Sequence, residues 1–201
     1  MKHPDARTPR TGIALGIGLV AGMSAGWLGL PLVLYESLEQ PAAFSHAMHT
    51  GDAVGLACDD CHGFEAEGCF QGIPGIAKCK ECHEAPLGRT TGERDVVERF
   101  VAPGREIPWH VYSRQPDNVH FPHSAHVRRA GLPCERCHGD HGRSSELRPF
   151  ERNRITGYSR DIWGPNLARV GRQPHEGMKM DDCTGCHREQ GVVDSCQPCH
   201  R

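Results

Sequence analysis

One pentapeptide pattern, Cys-x-x-Cys-His, constrains this chain more than any other feature, because it occurs five times. The copies are Cys58, Cys61 and His62; Cys79, Cys82 and His83; Cys134, Cys137 and His138; Cys183, Cys186 and His187; and Cys196, Cys199 and His200. Offsets of three and four residues bring the two thiols and the imidazole to one side of a helical turn. That is the geometry of a covalent c-type haem site. Two thioethers form at the porphyrin vinyl groups, and the His lies under the iron as proximal ligand.

Competing readings of the cysteines do not match the pattern. Zinc ribbons combine Cys-x-x-Cys units in twos and need no His after the second Cys. Disulfide frameworks occur in exported chains but do not impose one pentapeptide five times. A thioredoxin-like dithiol expects a single pair inside a βαβ pattern, and that pattern is absent here. The predicted fold class is therefore a multihaem cytochrome c, cored by its haems, with short helices and loops and little regular structure. Hydrophobic residues make up only 37% of the chain, alongside 24 Gly and 15 Pro. No alternation persists long enough to predict a sheet.

A second feature is the run Gly12 to Tyr35, which contains no charged residue. As a helix it would be about 36 Å long, enough to cross a bilayer. Lys2, Arg7 and Arg10 precede it, and Glu36 and Glu39 follow. The positive-inside rule then leaves residues 1–10 in the cytoplasm, residues 11–35 as anchor, and residues 36–201 on the periplasmic side of the cytoplasmic membrane. A cleaved signal peptide is the rival reading, but the run is long for a signal core and no clean Ala-x-Ala site follows. Gly18, Gly22 and Gly26 form a small-residue stripe suited to close approach by another helix, an integral membrane partner.

Beyond the anchor the chain repeats itself. Phe44-Ser-His46-Ala-Met-His49 precedes the first haem motif, and Phe121-Pro-His123-Ser-Ala-His126 precedes the third. A haem pair (residues 44–83) and a haem triplet (residues 121–200) follow from this, joined by the charged, Pro-containing stretch 84–118. A second haemless stretch, 142–180, carries Arg143, Arg148, Arg152, Arg154 and Arg160, which could pair with haem propionates, pair with a partner, or simply be solvated.

Phe-x-His-x-x-His ahead of an attachment motif resembles the class III multihaem cytochromes. There the two His ligate neighbouring haems from the distal side. Carried over, the resemblance makes His46, His49, His123 and His126 sixth ligands. His110, His120, His141 and His175 are further candidates, with Met48, Met178 and Met180 as rivals. The supply of His permits two imidazoles on every iron.

The anchor plus five motifs resembles the multihaem subunits of quinone reductase complexes (Qrc), to which the pentahaem subunits of alternative complex III are similar. That resemblance implies electron transfer between a soluble periplasmic c-type cytochrome or redox enzyme and a membrane menaquinone oxidoreductase complex, within a respiratory chain. Its partners would be integral membrane and periplasmic subunits. Alternative complex III would instead carry electrons outward from quinol. A NapC/NirT-type quinol dehydrogenase also has one anchor and several haems, but lacks the paired Phe-x-His-x-x-His. No catalytic constellation is visible, and nothing suggests nucleic acid. Cys69, the eleventh cysteine, reads as a buried free thiol. Its alternative is a sixth haem held by a single thioether.

Overall fold

A computed structural model describes residues 9–160, 178–192 and 195–200. The apolar run forms one helix, Thr11–Leu34, long and apolar enough to cross a membrane. It begins as an α-helix, Pro9–Ser24, and widens to a π-turn over Ala25–Gly29 before Leu30–Leu34. Its large side chains point outward, with Leu32 82% exposed. Nothing else in the described chain packs on them. A Cβ placed at Gly18, Gly22 or Gly26 would meet no atom within 4 Å.

The helix passes directly into a strand, β1 (Tyr35–Leu38), which pairs antiparallel with β2 (Phe150–Asn153). This two-stranded sheet corrects the expectation of none. Its strands are four residues long, too short for alternation to register, and its partners lie more than a hundred residues apart. The turn after β2 is set locally. Asn153 Oδ1 accepts from the N–H groups of Ile155 (2.9 Å) and Thr156 (3.0 Å), the side-chain mimic of a backbone turn. Arg154 N–H then donates to Leu34 O at 2.8 Å, tying the turn to the helix end.

The arginines of this region are largely committed within the chain. Arg152 Nε donates to Glu36 at 2.7 Å, Arg154 lies 3.7 Å from the same carboxylate, and Arg160 bonds Glu151 at 2.7 Å. Arg143 sits 3.9 Å from Asp140. Arg148 and Arg160 also cover the rings of Tyr112 and Tyr35. Chain carboxylates and tyrosines therefore take up this charge.

The apolar core is small. Ala42, Ile76, Phe100 and Val101 bury one another, with Cys79, Val96, Ile107 and Trp109 packed around them. Phe100, Val101, Ile107 and Trp109 all come from the stretch between the second and third Cys-x-x-Cys-His motifs. That stretch is thus a structural support, with helix Thr91–Val96 running into a π-turn, Val97–Val101. Burying a Phe or Val side chain stabilises by about 1.5–3 kcal/mol. These few residues anchor the second motif through Cys79.

Candidate haem-binding sites

The five motifs share one backbone conformation. In four of them the His N–H donates to the carbonyl of the first Cys: His62 to Cys58 (2.8 Å), His83 to Cys79 (2.9 Å), His138 to Cys134 (3.0 Å) and His200 to Cys196 (2.9 Å). The other, Cys183 to His187, lies inside the helix Met180–Glu189. One helical turn therefore holds each Cys-x-x-Cys-His. All eleven thiols are free. Among the described residues, no cluster of three or more His, Cys, Asp or Glu side chains converges as zinc would require.

Three of the motif histidine rings are oriented through Nδ1. His62 Nδ1 lies 2.7 Å from Gly72 O, and His200 Nδ1 lies 3.1 Å from Asn118 O. A carbonyl can only accept, so Nδ1 carries the proton and Nε2 keeps a free lone pair for a metal. Gly72 has φ +73°, a conformation that disfavours side chains and turns this carbonyl toward His62. His83 Nδ1 instead meets a carboxylate, Glu93 Oε1, at 3.1 Å.

The two Phe-x-His-x-x-His segments superimpose in their ring geometry. Phe44 stacks on His49 (4.5 Å) and meets His46 edge-on (4.9 Å). Phe121 does the same with His126 (4.4 Å) and His123 (4.9 Å). His49 Nδ1 lies 2.8 Å from Ser45 O, and His126 Nδ1 lies 3.0 Å from Pro122 O. Each Phe thus steers the rings and each carbonyl fixes the tautomer, so Nε2 is again the free nitrogen.

Three of these four histidines face a motif histidine. Ring centres are 6.1 Å apart for His49 and His83, 6.3 Å for His123 and His138, and 6.0 Å for His126 and His187. A metal–imidazole bond is about 2.0–2.1 Å and a ring nitrogen lies about 1.1 Å from its ring centre, so two imidazoles on one iron are separated by about 6.3 Å. The residues fit a haem iron. His46 lies near His62, and its pKa is lowered first by burial and then by that ring. Burial lowers His123 and His138 as well, with His138 and His62 respectively as the leading neighbours. A lowered pKa keeps imidazole neutral, the form that ligates.

Electrostatic influence between thiols relates the sites to one another. Burial raises each of the following thiols, and a thiol from another motif adds to it: Cys61 for Cys79, Cys58 for Cys134, Cys186 for Cys137. For Cys183, burial and Asp182 lead, followed by Cys199. The first and third motifs also bound a cavity of about 460 Å³, lined by Ala47, Cys58, Glu135 and Gly139 among others. Across it, Ala47 N–H donates to Ser144 O at 3.0 Å, and Thr50 Oγ1 donates to Gly142 O at 2.7 Å. Phe70 stacks on His123 at 4.1 Å, a contact between the two halves that the sequence does not announce.

The remaining sequence candidates divide. His110 is half-buried, its ring 5.3 Å from Phe150 and its main chain held by Gln40 at 3.0 and 3.1 Å. His120 is exposed, with its N–H on Cys199 O at 2.8 Å, and half-buried His141 lies in the turn Gly139–Arg143 behind the third motif. None of these three is brought opposite a motif histidine in the ring contacts above. His175 lies outside the described residues. Met48 and Met180 are exposed, at 58% and 64%. Cys69 is exposed as well, like the motif thiols Cys58, Cys82, Cys134 and Cys196. Glu65 N–H bonds Cys69 O at 2.8 Å in a Phe64–Phe70 bridge, which turns the side chain outward.

No protein-family model matches the chain. Among characterised proteins it is 36% identical over 200 residues to the menaquinone reductase multihaem cytochrome c subunit of Nitratidesulfovibrio vulgaris, covering 92% of this chain and 88% of the relative. The chain belongs to the family of multihaem cytochrome c subunits of menaquinone reductase. As a multihaem cytochrome c it takes haem c.

Proposed function

We propose that this protein is the electron-transfer subunit of a menaquinone reductase complex, carrying five covalent haems at the five motifs. The observation that carries the reading is the 6.0–6.3 Å separation of three His pairs drawn from distant segments. Haem c would supply a one-electron iron couple at each site. The motif cysteines would attach it, the paired histidines would ligate its iron, and backbone carbonyls hold His49, His62, His126 and His200 each in one tautomer. In this reading His49 pairs with His83, His123 with His138, His126 with His187, and His46 with His62. The fifth distal ligand comes from His110, His120, His141 or His175.

The five sites form one row in the order second, first, third, fourth, fifth. Helix His46–Thr50 ties the first two together, and the turn Ser124–Arg129 with its preceding His123 ties the third and fourth. Thiol neighbours and the shared cavity support the junction of first with third. Thr11–Leu34 anchors the row at the outer face of the cytoplasmic membrane, its glycine stripe against an integral subunit. Residues 36–201 lie in the periplasm, where a soluble c-type cytochrome delivers electrons bound for menaquinone.

Purification in mild detergent, with haemochrome and protein measured on the same sample, tests this. Five haems per chain, low-spin with two His each, and co-purifying membrane subunits are expected. High-spin or Met-ligated iron throughout would overturn the ligand assignment. Six haems, falling to five in Cys69→Ala, would replace the count.

A further inference from the structure

Of the motif histidines whose Nδ1 partner is described above, His62 and His200 meet carbonyl oxygens, whereas His83 meets the carboxylate of Glu93. This carboxylate is unusually well held. Oε1 accepts from Leu87 N–H at 2.7 Å and Oε2 accepts from Gly88 N–H at 2.8 Å, while Oε1 also faces His83 Nδ1 at 3.1 Å. The Glu93 side chain is 15% exposed and His83 24%. A Cβ at Gly88 would sit 2.8 Å from Glu93 Oε2, so the carboxylate packs closely against the loop backbone. Thr90 Oγ1 accepts from Glu93 N–H at 3.2 Å and starts the helix that carries Glu93.

A carboxylate draws the Nδ1 proton more strongly than a neutral carbonyl does. It thereby makes Nε2 a stronger donor, and its own charge adds to the effect. Both changes favour ferric over ferrous iron, and hydrogen bonding to the axial ligand is one of the protein's levers on haem potential. We propose that Glu93 is a positioning residue that lowers the potential of the haem at Cys79 and Cys82 through His83. This inference rests on the haem reading of the second motif, and it assigns that site a property the other described sites lack.

The test is a spectroelectrochemical titration of the purified complex, wild type against Glu93→Gln and Glu93→Asp, with the haem count measured on each sample. In Glu93→Gln one midpoint should rise, the others should stay, and the low-spin EPR signal of that haem should shift. Glu93→Asp should return the midpoint toward the wild-type value. Unchanged midpoints in Glu93→Gln at full haem count would overturn the proposal. So would loss of the second haem, or of its low-spin state, in both variants, since the carboxylate would then be structural only. Failure of the haem reading itself would look different: the wild-type complex would lack five haems.

Discussion

The two Phe-x-His-x-x-His segments carry the same rings in the same arrangement on different backbones. In the first, Ser45 caps a short α-helix by accepting from Met48 N–H at 3.2 Å. In the second, Pro122 stands in that place, no side chain caps the turn, and Ser124–Arg129 winds as a π-turn in which Ala130 N–H reaches Ala125 O at 3.1 Å. Ring spacings nevertheless agree within 0.1 Å for the stacked pairs, 4.5 against 4.4 Å. Ring geometry here follows from a three-residue spacing and an aromatic neighbour, and tolerates a change of helix type.

What differs is support. The first half leans on the apolar cluster around Phe100 and Val101, while the second half contributes none of its described residues to it. Phe100→Ala should therefore cost about 3–5 kcal/mol, the range for truncating a buried Phe. Thermal unfolding followed by near-UV dichroism checks this, and the second motif should lose its native haem spectrum before the fourth. Equal loss in both halves would mean that the haems, not this cluster, hold the first half together.

Ligand removal sharpens the likeness between the repeats. His49→Gly and His126→Gly should each convert one haem per chain to a high-spin form while leaving all covalent attachments intact. EPR and the haemochrome ratio read the two effects separately. Two haems affected by one substitution would break the pairing proposed above.

Ring tilt gives a finer contrast. The His49 and His83 planes differ by 57°, whereas the His123 and His138 planes differ by 3° and those of His126 and His187 by 19°. Near-parallel imidazoles give rhombic low-spin EPR spectra, and strongly tilted ones give more anisotropic spectra. At least two classes of low-spin signal are expected, and His49→Gly should remove only the more anisotropic class. One uniform class would refute the contrast.

The smallest effect concerns the ion pairs beside the sheet. Arg152→Ala should change stability by about 0–1 kcal/mol, because Arg152 is half-exposed and water screens its pairing with Glu36. Chemical denaturation of the detergent-solubilised protein measures it. A larger loss would show that the sheet, and not the apolar cluster, supports the first half.

Glu93 marks where sequence reasoning stopped short. Thr90-Thr-Gly-Glu93 has the spacing of a capping box, which would send the Glu side chain back to Thr90 N–H. Half of the box forms, yet the carboxylate goes to Leu87, Gly88 and His83 instead. Only the path of the loop after His83 decides that. The stretch 84–118 was equally opaque, since its charges describe an exposed face while Phe100 and Val101 turn inward.

The sequence alone determined the five Cys-x-x-Cys-His motifs, the paired Phe-x-His-x-x-His segments and the apolar helix, because each is a local pattern of spacing or composition. Covalent and helical geometry hold at that range whatever the remainder of the chain does. The tertiary structure decided which distal histidine faces which motif, which motifs are neighbours, and how β1 finds β2. Those relations join segments tens of residues apart, and they depend on how loops close around a core with few apolar residues, which no local spacing encodes.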